Sequence, residues 1–263
     1  MAVRARHGAE AAMTDTPRSR PRPQPASQSH RRHRGMARAA LSSAVLLLAA
    51  CAGGPPPPAW QGNARQALDR AVEAHLSGDS RAEAQDFARA RSEIARTGNP
   101  ALMARAELIR CAAQVAGLMF GPCEGFERLR ADADPAGRAY ADHLAAMPLS
   151  ADDIAHLPSA QRDAAAAVAS ARRGGRSAPG PSAASLQKID DPLARLIAVA
   201  VLFQAGQASP AVIAVAADTA SAQGWRRPLL AWLNVQAQRA ENAGDSAEAQ
   251  RLRRRIELVR NDR

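Results

Sequence analysis

Four acidic and histidine side chains in one short stretch are the residues of this chain most suited to chemistry. Asp142 and His143 are adjacent, and Asp153 and His156 have the three-residue spacing of one helix face. Carboxylate and imidazole groups gathered in this way can bind a metal ion. The same stretch also suits helix ends, because Ser150 and Asp153 form a capping-box pattern and His156 would complement a helix C-terminus. We adopt the helix-end interpretation and expect no metal or cofactor, with a metal-dependent enzyme or envelope hydrolase as the alternative.

A second candidate is Ser185, which is followed three residues later by Lys188. This spacing resembles the S-x-x-K nucleophile motif of penicillin-binding proteins and β-lactamases. That family also needs a lysine in a K-T-G motif, but Lys188 is the only lysine in the chain. The sequence therefore excludes this chemistry and predicts a helix start with Ser185 as its cap.

The region before residue 51 contains a predicted secretory signal. Residues 36–50 begin with Met-Ala-Arg and continue as twelve small and apolar residues. Twelve residues of helix rise about 18 Å, which is less than the roughly 30 Å of hydrocarbon that a spanning helix must cross. The segment therefore predicts a signal peptide and not a permanent membrane helix.

The signal ends in Leu48-Ala49-Ala50-Cys51, which resembles the lipobox of bacterial lipoproteins. In that family the cysteine sulfur receives a diacylglycerol, the bond before the cysteine is cleaved, and the new amine is acylated. The resemblance implies cleavage between Ala50 and Cys51 and lipidation of Cys51, and three acyl chains hold far more firmly than one. Position 52 is Ala and not Asp, which by resemblance to Gram-negative lipoproteins implies the outer membrane.

The first 35 residues complicate this interpretation, because a secretory n-region is normally short. Residues 1–35 are predicted to be a disordered basic segment that is removed with the signal, or to precede a true translation start at Met36. The N-terminal 50 residues also carry most of the net positive charge. Residues 1–50 hold nine arginines and two acids, whereas the other 213 residues hold 26 basic and 23 acidic groups, a net charge of +3 against +10 for the whole chain. We therefore expect no nucleic-acid partner.

Two cysteines remain in the mature chain, Cys111 and Cys123. A lipidated protein lies in the oxidising cell envelope, where paired thiols usually form a disulfide. A helix after Cys111 followed by a reversal near Gly121 would bring the two residues within reach of each other. We predict a Cys111–Cys123 disulfide, with two buried free thiols as the alternative.

The elements that must position these residues are predicted to be helices. Aromatic residues make up only 3% of the chain and alanine is abundant, which argues against a sheet protein. Spacings such as that of Tyr140, Leu144 and Met147 indicate amphipathic helices. Turn residues divide the chain into about ten short helices, which predicts an all-α fold of stacked helical hairpins. The most apolar stretch, residues 193–203, should be a central buried helix.

Composition also predicts the organisation of the mature chain. Residues 51–59 form a Gly/Pro tether behind the lipidated cysteine, and the proline run favours an extended rod. Residues 60–173 form an N-terminal helical-hairpin region, and residues 183–263 form a C-terminal one. The Gly/Ser/Pro-rich residues 174–182 are a predicted flexible linker between them.

A short internal repeat suggests a finer architecture. Gly78-Asp79-Ser80 and Gly244-Asp245-Ser246 begin two similar segments, and each is predicted to end one helix and start another. In the second copy, Ala249 resembles the small packing residue of a tetratricopeptide repeat, although Arg253 stands where that family has a large aromatic residue. The resemblance implies a tetratricopeptide-like body, and an irregular helical-hairpin solenoid is the alternative.

These features together predict a periplasm-facing outer-membrane lipoprotein, held in the membrane through Cys51. Stacked hairpins create concave surfaces, and no complete catalytic set is evident, so we predict a non-catalytic helical-repeat scaffold for protein or peptide interaction. The partner would be another envelope protein, with Trp225 and Trp232 as candidate contact residues. The alternatives are an enzyme that uses the Asp/His group, or a small-ligand carrier, which a large apolar pocket would favour.

Overall fold

The computed structural model describes residues 57–172 and 180–261. The predicted cleavage and lipidation site at Ala50 and Cys51 lies outside these residues, as do the segments before it and most of the predicted linker. The described residues form one compact unit.

The described residues are all-helical and contain no strand, which confirms the predicted fold class of stacked helical hairpins. None of these helices is both long and apolar enough to cross a lipid bilayer. Within residues 57–172 and 180–261, a single 3-10 turn, Arg130–Asp132, follows the fourth α-helix. The helices are α1 (Ala59–Ser77), α2 (Ser80–Ala95), α3 (Pro100–Ala116), α4 (Glu124–Glu127), α5 (Pro135–Leu144), α6 (Ala151–His156), α7 (Ser159–Arg172), α8 (Ala183–Gln187), α9 (Pro192–Gln204), α10 (Pro210–Gln223), α11 (Arg226–Asn242) and α12 (Ser246–Asn261).

Four of these helices begin with the same local signal, a capping residue followed by proline. Proline suits the first helical position because its backbone angle is already helical and its missing N–H would have no partner there. The preceding Asn, Asp or Ser side chain accepts a hydrogen bond from a backbone N–H of the first turn. The four pairs are Asn99-Pro100, Asp134-Pro135, Asp191-Pro192 and Ser209-Pro210.

The two similar Gly-Asp segments form the same turn. Gly78 and Gly244 have left-handed φ angles of 92° and 75°, a conformation that favours glycine. The N–H groups of Asp79 and Asp245 each donate to the carbonyl five residues earlier, at 2.8 and 2.9 Å, and their side chains then cap the next helix. The repeat therefore encodes two equivalent hairpins, α1–α2 and α11–α12, whereas the tetratricopeptide resemblance stays a prediction.

The largest hydrophobic cluster of the described residues joins residues from both sides of the predicted linker, and two smaller clusters lie apart from it. Helix α9 is at its centre and packs against α3, α7 and α10. All residues from Leu196 to Leu202 are buried, as expected for the most apolar stretch of the chain. Many other core positions are alanine, which lets helices approach closely. The two helical-hairpin regions predicted from the sequence therefore share this largest cluster.

The amphipathic helix predicted from Tyr140, Leu144 and Met147 is wrong at its last residue. Tyr140 and Leu144 lie on the helix, but Met147 is 53% exposed. The helix stops at Leu144, and the chain turns at Ala146 with a φ of 52°. Met147 therefore lies beyond the helix, because the spacing of apolar residues alone does not show where a helix ends.

Candidate functional site

A disulfide between α3 and the residue that precedes α4 positions the candidate site. Cys111 and Cys123 are joined, with their Cα atoms 5.8 Å apart. Cys111 is buried on α3, and Cys123 immediately precedes α4. Between them the chain reverses at Leu118, which has a left-handed φ of 61°. The disulfide therefore fixes the short helix α4 against α3.

Helices α2, α3 and α4 surround an open cleft with a volume of about 540 Å³, which we call the arginine cleft. Its size lies within the range of protein ligand sites. The lining includes the buried rings of Phe87 on α2 and Phe126 on α4. The charged lining residues are Arg91, Glu107, Arg110, Glu124 and Arg128.

A buried chain of polar groups holds Arg110 at the cleft. The Glu83 carboxylate, only 8% exposed, accepts hydrogen bonds from Arg110 Nε at 3.0 Å and from His75 Nδ1 at 2.9 Å. Burial alone would raise the pKa of Glu83, but these two hydrogen bonds outweigh it and hold the pKa below its ordinary value. Burial lowers the pKa of His75, despite the opposing hydrogen bond to Glu83. An ionised Glu83 therefore fixes the Arg110 guanidinium, which lies 4.8 Å from the ring centre of Phe87.

A second buried carboxylate holds Arg91. Glu107, whose side chain is 7% exposed, forms an ion pair with Arg91 across the cleft floor. The same carboxylate lies against the backbone of Gly125 in α4, so that a Cβ built on Gly125 would overlap it. Only glycine permits this close approach of α4 to the carboxylate.

The open surface of the cleft is basic. The Arg91 and Arg110 side chains are 47% and 39% exposed, whereas the two carboxylates that hold them are buried. On the opposite wall, Glu124 and Arg128 are both exposed. Neither has an ion-pair partner within the described residues. The cleft thus presents three arginine side chains and one carboxylate to the solvent.

A second cavity, of about 450 Å³, lies between α3, α5 and the turn from α6 to α7. We call it the apolar cavity, because Leu102, Leu108 and Ile109 supply much of its lining. Phe126 lines both this cavity and the arginine cleft, so α4 is the wall between them. Tyr140 lies on the far side, where burial raises the pKa of its hydroxyl to about 12.

The four residues predicted as weak metal candidates do not form a cluster. Asp142 accepts a hydrogen bond from Arg130 at 2.9 Å. Asp153 accepts from the Ser150 hydroxyl at 2.7 Å, and its own N–H donates to that hydroxyl. His156 is the exposed last residue of α6. The helix-end interpretation is confirmed for this segment, and among the described residues no three His, Cys, Asp or Glu side chains lie close enough to hold a metal.

His143, the fourth candidate, is a buried structural residue. Its Nε2 is 3.0 Å from Gln161 Oε1, and the Gln161 side-chain amide donates to the carbonyl of Ala194 at 2.8 Å. Because the Gln161 nitrogen donates to a carbonyl, its oxygen is the acceptor and His143 Nε2 carries the proton. Burial lowers the pKa of His143 to about 4, so the ring is neutral near pH 7. These two hydrogen bonds connect α5, α7 and α9 through the core.

The two predicted contact tryptophans have different environments. Trp232 is 0% exposed and donates its indole N–H to the carbonyl of Ala116 at 3.2 Å. Its prediction as a contact residue was wrong, because a large apolar ring with a satisfied N–H packs best in the core. Trp225 is partly exposed, and its indole N–H donates to Glu73 at 3.2 Å. An interaction role for Trp225 stays a prediction.

The predicted cap Ser185 was also wrong by three residues. Ser182 is the N-cap of α8, where its hydroxyl accepts from the N–H of Ser185 at 3.1 Å. Ser185 lies inside the helix and donates its hydroxyl to the carbonyl of Ser182 at 2.8 Å. The earlier serine takes the capping role because it stands just before the chain becomes helical.

Sequence reasoning missed the buried acids that organise the arginine cleft, Glu83 and Glu107. A signal was present, because Glu107 is the only acidic residue of α3 and stands between Ala104 and Cys111 on a buried helix face. An acidic side chain is rarely fully buried unless it is paired. A lone acid on an apolar helix face therefore indicates an arginine on a neighbouring element.

Comparison with known proteins gives no relative for this chain. It matches no protein-family model, and no curated protein or solved structure is significantly similar to it.

Proposed function

We propose that this protein is an outer-membrane lipoprotein that faces the periplasm and acts as a non-catalytic helical scaffold. Its lipid anchor would be on Cys51, in the lipobox-like sequence at residues 48–51. Its body would hold a segment of another envelope protein or peptide in the arginine cleft. The cleft lies on the body that follows the predicted tether, so an anchored chain would present it near the membrane.

The observation that carries this proposal is that the cleft is already formed and its walls are fixed. Arg91 and Arg110 are oriented by buried carboxylates, and α4 is held by the disulfide. A preformed site loses little conformational entropy when a ligand binds, so more of the contact energy remains as affinity. Arginine N–H groups donate to the carbonyl and carboxylate oxygens that every polypeptide carries.

Site-specific crosslinking in the native envelope tests the proposal. A photoreactive amino acid replaces Ala88, an exposed residue that lines the cleft. The matched control carries the same group at Ala247, which is exposed on α12 and does not line the cleft. After irradiation of intact cells, crosslinked products are purified through the full-length chain and identified by mass spectrometry.

We expect a discrete crosslinked envelope protein or peptide from position 88 and none from position 247. Recovery of the same product from both positions would indicate contact without use of the cleft. Recovery of the uncrosslinked chain alone from position 88 would contradict the scaffold proposal.

The apolar cavity favours a second candidate function, a carrier of a small amphipathic ligand. Its volume of about 450 Å³ is sufficient for a small molecule, and its lining is mostly apolar. The full-length protein is purified and extracted with organic solvent, and released compounds are measured by mass spectrometry. A carrier would release a stoichiometric amphiphile that Ala136→Phe, a cavity-filling change, removes. The matched control is Ala131→Phe, since Ala131 is exposed and lies outside the cavity lining.

A further inference from the structure

We infer that the arginine cleft selects an acidic polypeptide segment, in which Asp or Glu side chains pair with Arg91, Arg110 and Arg128. This inference rests on the proposed scaffold function and names the chemical class of the bound segment. It follows from the hydrogen-bonding capacity, the charge and the exposure of the cleft residues.

The first argument concerns unused donors. An arginine side chain has five N–H donors. Arg110 donates Nε–H to Glu83, and Arg91 pairs through one terminal nitrogen with Glu107. The remaining N–H groups of these two partly exposed side chains are available to a ligand in the cleft. Carboxylates are the acceptors that arginine pairs with most strongly, often through two parallel hydrogen bonds.

The second argument concerns orientation. Buried Glu83 and Glu107 have side chains only 8% and 7% exposed, so they hold the arginines from behind and leave their own oxygens inaccessible to a ligand. A fixed guanidinium loses less side-chain entropy on pairing than a mobile one. The cleft therefore offers oriented cations on one wall, in contrast to an ordinary solvated arginine pair.

The third argument concerns charge at the cleft surface. Arg128 is exposed on the opposite wall and has no ion-pair partner among the described residues. Glu124, four residues earlier, is the only exposed carboxylate of the lining. A bound acidic segment would be attracted by Arg128 and repelled by Glu124. Removing either charge must then change affinity, and in opposite directions.

The opposite changes in affinity expected at Arg128 and Glu124 define the experiment. The full-length protein is purified in a neutral detergent, and binding of a fluorescein-labelled peptide in which Glu alternates with Ser is measured by anisotropy. Peptides with Gln or Lys in place of Glu serve as ligand controls. Arg128→Gln should weaken binding of the Glu peptide about two- to fivefold, and Glu124→Gln should strengthen it by a similar factor, as for exposed ion pairs.

Matched substitutions outside the cleft control for net charge. Arg89→Gln on α2 and Glu257→Gln on α12 remove the same charges from exposed residues that do not line the cleft. Both should leave the affinity unchanged. Circular dichroism of every variant checks the fold, which should be retained because neither Arg128 nor Glu124 has an ion-pair partner among the described residues. Raising ionic strength from about 0.01 M to about 0.1 M, which shortens the screening length from about 30 to about 10 Å, should weaken binding of the Glu peptide.

Three outcomes would overturn the inference. The first is equal binding of the Glu, Gln and Lys peptides, and the second is a shift in the same direction for both cleft variants. The third is competition by anionic phospholipid vesicles that is stronger than competition by unlabelled Glu peptide. If crosslinking from position 88 still captures a partner when the Glu peptide fails, the scaffold proposal stands and only the acidic ligand class is wrong.

Discussion

At the scale of single residues, the arginine cleft depends on carboxylates that no ligand can reach. Glu83 and Glu107 are buried and paired, and their partners Arg110 and Arg91 are the groups at the surface. Removing one partner of a buried pair leaves an uncompensated charge in the interior, which is strongly destabilising. The acids are therefore positioning residues, whose role is to orient the arginines.

Gly125 is the residue on which the Glu107 site depends most directly. In Gly125→Ala the new Cβ would overlap the carboxylate and push it away from Arg91, so we expect the free energy of unfolding to fall by about 1–2 kcal/mol. Urea denaturation of the full chain measures this change.

The matched control for this substitution is Gly121→Ala. A Cβ at Gly121 would meet nothing within 4 Å, so this change should cost little. In a Glu107→Ala background the overlap disappears, and Gly125→Ala should then also cost little. An unchanged cost in that background would show that the overlap is not the cause.

His143 makes the stability of the fold depend on pH. Its pKa is lowered by burial to about 4, against an ordinary value of 6.5. Between these values the unfolded chain binds the proton and the folded chain does not, so the free energy of unfolding falls as the pH is lowered from about 6.5 to about 4. The lowered pKa corresponds to a decrease of about 3 kcal/mol in the free energy of unfolding across this pH range.

Chemical denaturation at several pH values measures this dependence. In His143→Gln, which cannot be protonated, the decrease between pH 6.5 and 4 should be smaller than in the wild type. His156→Gln, a change at an exposed histidine, should leave the decrease intact. A wild-type pH dependence in the His143 variant would assign the effect to other groups.

At the scale of elements, α4 is a helix of four residues that could not hold its position alone. Isolated short helices are unstable in water, and this one depends on the Cys111–Cys123 disulfide and on burial of Phe126. Because α4 separates the arginine cleft from the apolar cavity, the disulfide controls both sites.

Removing the disulfide should therefore lower stability and binding together. In the Cys111→Ser, Cys123→Ser double variant we expect the free energy of unfolding to fall by about 3 kcal/mol, the chain-entropy value for a loop of this size. We also expect loss of crosslinking from position 88. A reductant should reproduce both effects in the wild type and have no effect on the double variant. Crosslinking that survives reduction would show that α4 needs no covalent attachment.

The helices themselves are predictable from the sequence because their signals are local. Proline after a capping residue marks four helix starts, and the Gly-Asp turns mark two helix ends. The disulfide is predictable because few cysteines leave few pairings. Met147 was misplaced because Pro148 follows it and suggested a helix that runs up to the proline, whereas α5 ends at Leu144 and the chain turns at Ala146.

The cleft is not predictable in this way, because its contacts join residues on different helices. Glu83 and Arg110 are 27 positions apart, and nothing in the local pattern of α2 or α3 identifies them as partners. The same limit applies to Trp232, whose burial depends on packing against the end of α3. Residue spacing reveals the face of a helix, whereas only the packing of helices reveals which faces meet.

At the scale of the whole molecule, the proposed anchor determines where the cleft can act. We expect the protein isolated from its native envelope to begin at Cys51 and to carry three acyl chains, which intact-protein mass spectrometry measures. In Cys51→Ser the acylated species should be absent and the protein should no longer be recovered in the outer-membrane fraction. An unacylated wild-type chain that retains residues 36–50 would contradict the lipoprotein assignment.

The contact of the first hairpin with the last part of the chain also governs how the body folds. Arg227 donates to the main-chain carbonyl of His75 at 2.7 Å, across 152 positions of sequence, and to the Ser80 hydroxyl at 2.9 Å. Contacts between such distant positions slow folding, because a long loop must close before they form. Although α1 and α2 precede α11 by more than a hundred residues, they therefore reach their final surroundings only when α11 packs against α1.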